Sequence, residues 1–344
     1  MADNITIEEV KLKPKDFSSS QDVRWCPGCG DYSILAQIQR VSPELGIKKE
    51  NYVWISGIGC SSRFPYYMDT FGMHGIHGRA AAIATGVKIQ NPELSVWVAT
   101  GDGDSLSIGG NHFIHACRRN IGLKIILFNN RIYGLTKGQY SPTSEKGKIT
   151  KSSPYGSIDY PFNPTALAIG SDATFVARSI DRHPAHLKEM IRRAGKHSGT
   201  AFIEVYQNCN IFNDGAYFPL TDKETKSDTV LILEHDKPMV FGKENNKGII
   251  LDGFTPRVVS LTDGKHSLDD LWIHDEHDTH ASRAHILTQF AEFEHLPTPI
   301  GVFRHIDKPS YEQDLHQQIK DVIKKEGEGK LKDLLFSGNT WEVN

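Results

Sequence analysis

The sequence lacks any apolar run approaching eighteen residues, which excludes an ordinary membrane-spanning helix. It lacks an excess of either charge. Lys and Arg number 39 against 42 Asp and Glu, a formal net charge of −3, so nothing points to nucleic acid or an anionic membrane surface as a partner. Cysteine is scarce, with five in 344 residues, too few for a disulfide framework. The opening stretch MADNITIEEVKLKPKDFSSS is polar and has no signal-peptide core, so a cytoplasmic protein is expected. There is no internal repeat and no low-complexity tract. What is present is ordinary for a soluble globular chain, 38% hydrophobic and 24% charged. The length suffices for one large α/β domain with additions, or for two domains.

From Trp25 to Tyr206 short apolar runs alternate with helical patterns. YVWIS, SVWVAT, KIILFNN, ATFVAR and TAFIEVY read as buried strands. Between them GRAAAIATGVKIQ, IGGNHFIHACRRN, NPTALAIGSD and HPAHLKEMIRRAGKHSG read as helices. Such alternation predicts an α/β fold with a doubly wound, mostly parallel sheet. Ligands of such sheets bind in the loops beyond the strands' C-terminal ends. After Tyr206 the texture turns polar and is broken by Gly and Pro. The expected organisation is a lead over residues 1–22, a ligand-binding domain over 23–218 and a polar C-terminal extension over 219–344, which contacts another subunit or covers the site. Within the extension KPMVFGKENNKGIILD suggests a hairpin, THASRAHILTQFAEF an amphipathic helix, and SYEQDLHQQIKDVIKKEGEGKLKDLLFSG a charged terminal helix.

Two loops carry the chemistry. In VATGDGDSLSIGGNHF a buried strand ends at Gly101, and Gly103 lets the backbone turn against a ligand. Asp102 then offers a hard cation its carboxylate, and the backbone N–H groups with Asp104 suit a diphosphate. The next strand ends in LFNNRIYGLTKGQYSPT. Adjacent parallel strands would bring Asn130 beside Asp102, so that both share one Mg²⁺ with the main-chain carbonyl of Ile132. A separate question is raised by WCPGCGDYS, whose Cys26 and Cys29 fit a redox pair, a zinc site or an iron–sulfur site. Four thiolates would suit a Cys₄ zinc and a [4Fe–4S] cluster equally.

GDGD followed by NN resembles the diphosphate motif of thiamine-diphosphate enzymes. With CPGCG, GIGCSSR and HGIHGRAAAIATGVK, the chain resembles the β subunit of the 2-oxoacid:ferredoxin oxidoreductases, nearest to the 2-oxoglutarate branch, strongly over Trp25 to Phe218. The resemblance implies a fold of thiamine-diphosphate-binding type and one [4Fe–4S] cluster held by Cys26, Cys29, Cys60 and Cys209. Cys117, inside a helix, matches nothing and reads as a small hydrophobe. The resemblance also brings Ile58, Gly59, Cys60 and Ser61 to thiamine diphosphate, together with His77, Gly78 and Arg79 and with Gly134 and Leu135. It implies CoA-dependent, reversible oxidative decarboxylation of a 2-oxoacid, with electrons leaving through the cluster to ferredoxin. No carboxylate that would activate thiamine stands out here. The family takes that Glu from an α subunit, so half an active site and an (αβ)₂ assembly are expected. Arg63, Thr136 and Lys137 would recognise the distal carboxylate of 2-oxoglutarate. The alternatives are pyruvate or a broad range of 2-oxoacids, a non-redox thiamine-dependent decarboxylase or ligase with structural zinc, and a non-catalytic scaffold. HDEHDTHASRAH gathers His274, His277, His280 and His285 among acids. It fits no tight zinc pattern and reads as a solvated loop capped by Asp278 or Thr279 before a helix.

Overall fold

The computed structural model describes residues 12–343. Its strands are β1 (Tyr52–Ser56), β2 (Phe71–His74), β3 (Ser95–Gly101), β4 (Leu123–Asn129), β5 (Phe175–Ile180), β6 (Ala201–Tyr206), β7 (Val230–Leu233), β8 (Val240–Phe241), β9 (Lys247–Asp252), β10 (Thr255–Ser260) and β11 (Thr298–His305). Eight form one sheet in the order β2-β1-β3-β4-β6-β5-β11-β7, and β10-β9-β8 form a small second one. In the large sheet β11 runs antiparallel to β5, and the other pairings are parallel.

The unbroken apolar runs explain why this sheet is covered twice. Successive side chains of a strand point to opposite faces. On β4, Ile125 and Leu127 enter one core while Ile126 and Phe128 enter the other. The first core is closed by the helices Ala80–Gln90, Gly110–Arg118 and Pro164–Gly170, through Ala84, Phe113 and Ala168. Cys117 is fully buried there, as expected of a small hydrophobe. The second core is closed by Asp31–Val41 and Pro184–Lys196, through Ile34, Ile38, Leu187 and Ile191. At its centre Trp54 stacks on Trp97 with ring centroids 5.2 Å apart.

Residues 1–11 of the expected lead lie outside the described residues. The remainder packs on its own chain, where buried Phe17 meets the Tyr52 ring edge-on. The segment after 219 does not stand apart as an extension, because β7 and β11 complete the large sheet. Local pattern hides these strands. Their partners are distant in sequence, β11 carries Pro299, and its Gly301 has φ 125°. A Cβ at Gly301 would lie 2.7 Å from the Leu233 carbonyl oxygen, so only glycine lets β11 close on β7. The expected hairpin is present as β8 and β9. The charged terminal helix is two helices, Tyr311–Glu326 and Leu331–Leu335, because Gly327 (φ 83°) ends the first.

Across the β5–β6 pairing Arg178 faces Glu204 directly. The guanidinium donates to Glu204 Oε2 at 2.7 Å and to Thr165 Oγ1 at 2.8 Å, and both charged side chains are 1% exposed. Glu204 Oε1 accepts from Asn129 Nδ2 at 2.7 Å. Removing one partner of such a pair strands the other charge out of water. Glu204→Ala is therefore expected to lower the unfolding free energy by about 3–5 kcal/mol, read as a lower urea midpoint. An unchanged midpoint would show that water replaces the carboxylate.

Candidate active site

β1, β3, β4 and β6 are consecutive in the sheet and parallel, so the loops that leave their C-terminal ends lie side by side. These loops carry Cys60, Asp102, Asn130 and Cys209 respectively. The first three loops surround a cavity of about 560 Å³, and the fourth packs beside it. Asn213 Nδ2 ties the last loop to the main-chain oxygen of Asn130 at 2.9 Å.

The cation end is built on Asp102, which is 3% exposed. Its Oδ2 accepts from the hydroxyls of Ser141 and Thr143. Burial raises its carboxyl to about 6 against the opposing pull of those hydrogen bonds. The two asparagines that end β4 part company, as strand alternation requires. Asn129 turns into the interior, where its Nδ2 donates to Glu204 and its Oδ1 lies 2.9 Å from Thr143 Oγ1, competing with Asp102 for the one hydroxyl hydrogen. Asn130 lines the cavity, and its Oδ1 accepts the Ile132 N–H at 3.2 Å. Ile132 lines the cavity as well. Hard oxygen donors at a buried carboxylate are a donor set that suits Mg²⁺.

Asp104 has a different task from Asp102. Its Oδ1 accepts from Ile58 N (3.1 Å), Gly78 N (2.8 Å) and His77 Nδ1 (3.1 Å), and its Oδ2 from Thr100 Oγ1 (2.9 Å). One buried carboxylate thus joins the loops after β1 and β2 to the end of β3. A Cβ on Gly57 would fall 1.9 Å from Asp104 Oδ2, so glycine is needed for this approach. A carboxylate only accepts, so His77 donates from Nδ1 and presents Nε2 to the cavity it lines.

The cysteine end lies beside the same cavity. Gly134 sits between two of the thiols, for a Cβ there would be 3.6 Å from Cys209 Sγ and 3.8 Å from Cys60 Sγ. The WCPGC turn is pinned to the Cys209 segment by Gly30 N to Asn208 O (3.2 Å), Asn210 Nδ2 to Pro27 O (2.6 Å) and Gln207 Nε2 to Cys29 Sγ (3.3 Å). Burial pushes the Cys60 thiol up to about 12, with Asp31, Cys209 and Cys26 adding to the rise and Arg63 opposing it. Burial, then Asp31, likewise raises Cys29, with Cys209 and Cys60 contributing. Raised in this way, the Cys29 and Cys60 thiols ionise readily only with a cation beside them. Among the described residues no three of the sulfurs lie within 4.8 Å of one another.

Most of the residues singled out in the sequence meet here. Ile58, Gly59, Cys60 and Ser61 line the cavity, as do Gly101, Gly103, Gly134, Leu135 and Thr136. Gly78 stands behind the wall as a donor to Asp104, and Arg79 turns its guanidinium to the Ile108 carbonyl at 3.3 Å. Arg63 and Lys137 do not line the cavity; Arg63 lies close enough to act on Cys60, and Lys137 is exposed with φ 74°. Sequence reasoning missed Tyr133, whose ring fills the space a Cβ on Gly103 would take and whose hydroxyl donates to Gly103 O at 3.2 Å. It also missed Ser141 and Thr143, for which SPT just past the asparagine loop was the available signal. Asp31 is a further residue that the sequence does not mark as part of the site. It is buried in the cavity wall, its carboxyl raised to about 7 by burial and by Asp181, with a hydrogen bond from Cys29 opposing.

Residues 53–205 match the family described as thiamine pyrophosphate enzyme, C-terminal TPP binding domain. The chain is 50% identical to the 2-oxoglutarate oxidoreductase subunit KorB of Mycobacterium tuberculosis over 334 residues, 96% of this chain and 89% of that one. It is 50% identical over 192 residues to the 2-oxoacid:ferredoxin oxidoreductase subunit beta of a Sulfolobus species, 55% of this chain and 63% of that one. Among solved structures it resembles the 2-oxoglutarate:ferredoxin oxidoreductase from Magnetococcus marinus with 2-oxoglutarate, coenzyme A and succinyl-CoA bound. That match has a TM-score of 0.74 and 33% identity, over 95% of this chain and 96% of that chain.

Asp104→Asn places an N–H₂ where four donors converge. The Ile58 and Gly78 amides are expected to lose roughly ten- to hundredfold hydrogen-exchange protection, while amides of the β4 interior keep theirs. Unchanged exchange at both would show that the loops hold without the carboxylate.

Proposed function

The chain belongs to the β-subunit family of the 2-oxoacid:ferredoxin oxidoreductases, and from that premise we propose that it carries the thiamine-diphosphate half of an enzyme converting 2-oxoglutarate and CoA to succinyl-CoA and CO₂. Ferredoxin takes the electrons. The observation that carries this reading is the sharing of one sheet edge by a cation-and-diphosphate end, at Asp102 and Asn130, and a cysteine end, at Cys26, Cys29, Cys60 and Cys209.

In this reading Asp102, Asn130 and the Ile132 carbonyl hold Mg²⁺, and the turns at 58–61, 101–104 and 134–135 receive the cofactor. When bound, thiamine diphosphate supplies carbanion stabilisation and a [4Fe–4S] cluster supplies one-electron acceptance. The protein's own part is positioning. Asp104 sets the loops around the cofactor and aims His77 Nε2, an acceptor while Nδ1 carries the hydrogen, at the reacting region. Tyr133 and Phe128 exclude water from the wall. The choice of a cluster over a structural zinc follows the family, whose reaction releases electrons to ferredoxin.

The described cavity wall holds three aspartates and no glutamate. Ile76, Ile108 and Leu135 stand 67%, 55% and 46% exposed at or near its rim, a face too apolar to leave in water. Both features support an α subunit that covers the mouth and brings the thiamine-activating carboxylate, in an (αβ)₂ assembly. The choice of 2-oxoglutarate follows the relatives rather than Arg63 and Lys137, which do not line the cavity. Among the described residues no helix is long and apolar enough to cross a membrane, and a reduced cytoplasm is the compartment that suits five free thiols.

In the anaerobically purified complex, Asp102→Ala is expected to abolish thiamine retention and leave iron and sulfide near four each per β chain. Retained cofactor would remove the Mg²⁺ role, and stoichiometric zinc without iron would remove the redox reading. Turnover with 2-oxoglutarate is expected to exceed that with pyruvate by at least about tenfold in kcat/KM, because an unpaired site for a distal carboxylate penalises the smaller acid. A pyruvate preference would overturn the substrate assignment.

A further inference from the structure

Outside the cavity the fold gathers histidines that are separated in sequence. His235 follows β7, while Glu276 and His277 lie in the HDEHDTH stretch. Each offers one ligand atom, and these atoms lie within 4.8 Å of one another. We propose that His235, Glu276 and His277 form a metal site for a divalent ion of the zinc class, independent of the cofactor cavity, with water in the remaining position.

The proton placement at both imidazoles points to a cation. His277 Nδ1 lies 2.7 Å from the His305 carbonyl oxygen, which can only accept, so Nδ1 carries the hydrogen. Its Nε2 then turns a lone pair toward Glu276 Oε1 at 3.3 Å, and two acceptors face each other. His235 repeats the pattern. Its Nε2 lies 3.2 Å from Asp236 Oδ2, and its buried Nδ1 has no hydrogen-bond partner and faces Asp275 Oδ1 at 3.6 Å. A ring fixed through one nitrogen by a carbonyl or carboxylate, with the other nitrogen free, is how metal-binding histidines are oriented. The His277–Glu276 separation of 3.3 Å also fits. Ligands around a tetrahedral ion with bonds of 2.0–2.1 Å stand about 3.3 Å apart.

The site is held by backbone. Asp236 N donates to His274 O at 2.9 Å, His274 N to Lys237 O at 3.0 Å, and His305 N to Glu276 O at 2.6 Å, which joins both turns to β11. Three carboxylates, Asp236, Asp275 and Glu276, face one guanidinium, that of Arg193 on Glu276. That balance favours a divalent ion, and two imidazoles favour zinc over Mg²⁺ or Ca²⁺. The neighbouring group of His197, His305 and Asp307 is less suited. It has one carboxylate, and the Lys124 ammonium sits on the His197 carbonyl. The three protein ligands come from two different turns, so the site's role is to clamp those turns beside β7 and β11.

The test uses the complete complex, washed with a mild chelator and given Zn²⁺ alone. The wild type is expected to retain one zinc per β chain by elemental analysis, with unchanged iron, and to gain thermal stability on zinc addition. His235→Gln and His277→Gln should each lose at least tenfold in zinc affinity while iron content and turnover hold. Should either variant fail to fold, Asp236→Asn keeps every ligand and should still weaken zinc about tenfold. Absence of retained zinc in the wild type would overturn the proposal and leave a proton between His277 and Glu276. Equal retention by wild type and variants would overturn it too, placing the ion elsewhere.

Discussion

The parallel alignment of β1, β3, β4 and β6 governs this molecule. Their hydrogen-bonded register brings four loops to one edge, and those loops come from positions some 150 residues apart in the chain. No local interaction could hold Cys60, Asp102, Asn130 and Cys209 as neighbours. The sheet does so because both of its faces are apolar and covered, which leaves the strand ends as the place where polar side chains meet without burying unpaired groups.

Around that edge the polar groups are organised by accepting carboxylates. Asp104 collects donors from two loops and one strand, and Asp102 collects two hydroxyls. Behind Asp102 a buried chain runs through Thr143, Asn129 and Glu204 to Arg178. A network of this kind is stable only when every member is paired. It makes the position of Asp102 depend on residues deep in the sheet that touch no ligand.

The far end of the sheet follows a different logic. β11 inserts between β5 and β7 with opposite orientations toward its two neighbours. The turns next to it bury charged and imidazole groups, including His274, whose Nε2 meets the Val302 carbonyl oxygen at 2.7 Å. Asp278 accepts the His280 N–H at 2.8 Å rather than capping the helix, and His280 itself precedes Ala281–Gln289. The stretch that reads as a solvated loop is thus partly interior.

The sequence by itself determined the five central strands, the helices between them and the two loops rich in Gly, Asp and Asn. These are local matters of periodicity and of which residues permit a tight turn. The grouping of Cys26, Cys29, Cys60 and Cys209 came from the family resemblance of their motifs and not from spacing. Only the tertiary structure decided that Asp104 ties the loops after β1 and β2 to β3 while Asp102 takes the Ser141 and Thr143 hydroxyls, that Asn129 turns inward while Asn130 lines the cavity, and that Arg63 and Lys137 stay outside the cavity wall. It alone placed β7 and β11 in the main sheet and His235 beside His277. Each of those outcomes rests on contacts between distant segments, or on which side of a strand end a side chain leaves. Residue type and local spacing do not encode either one.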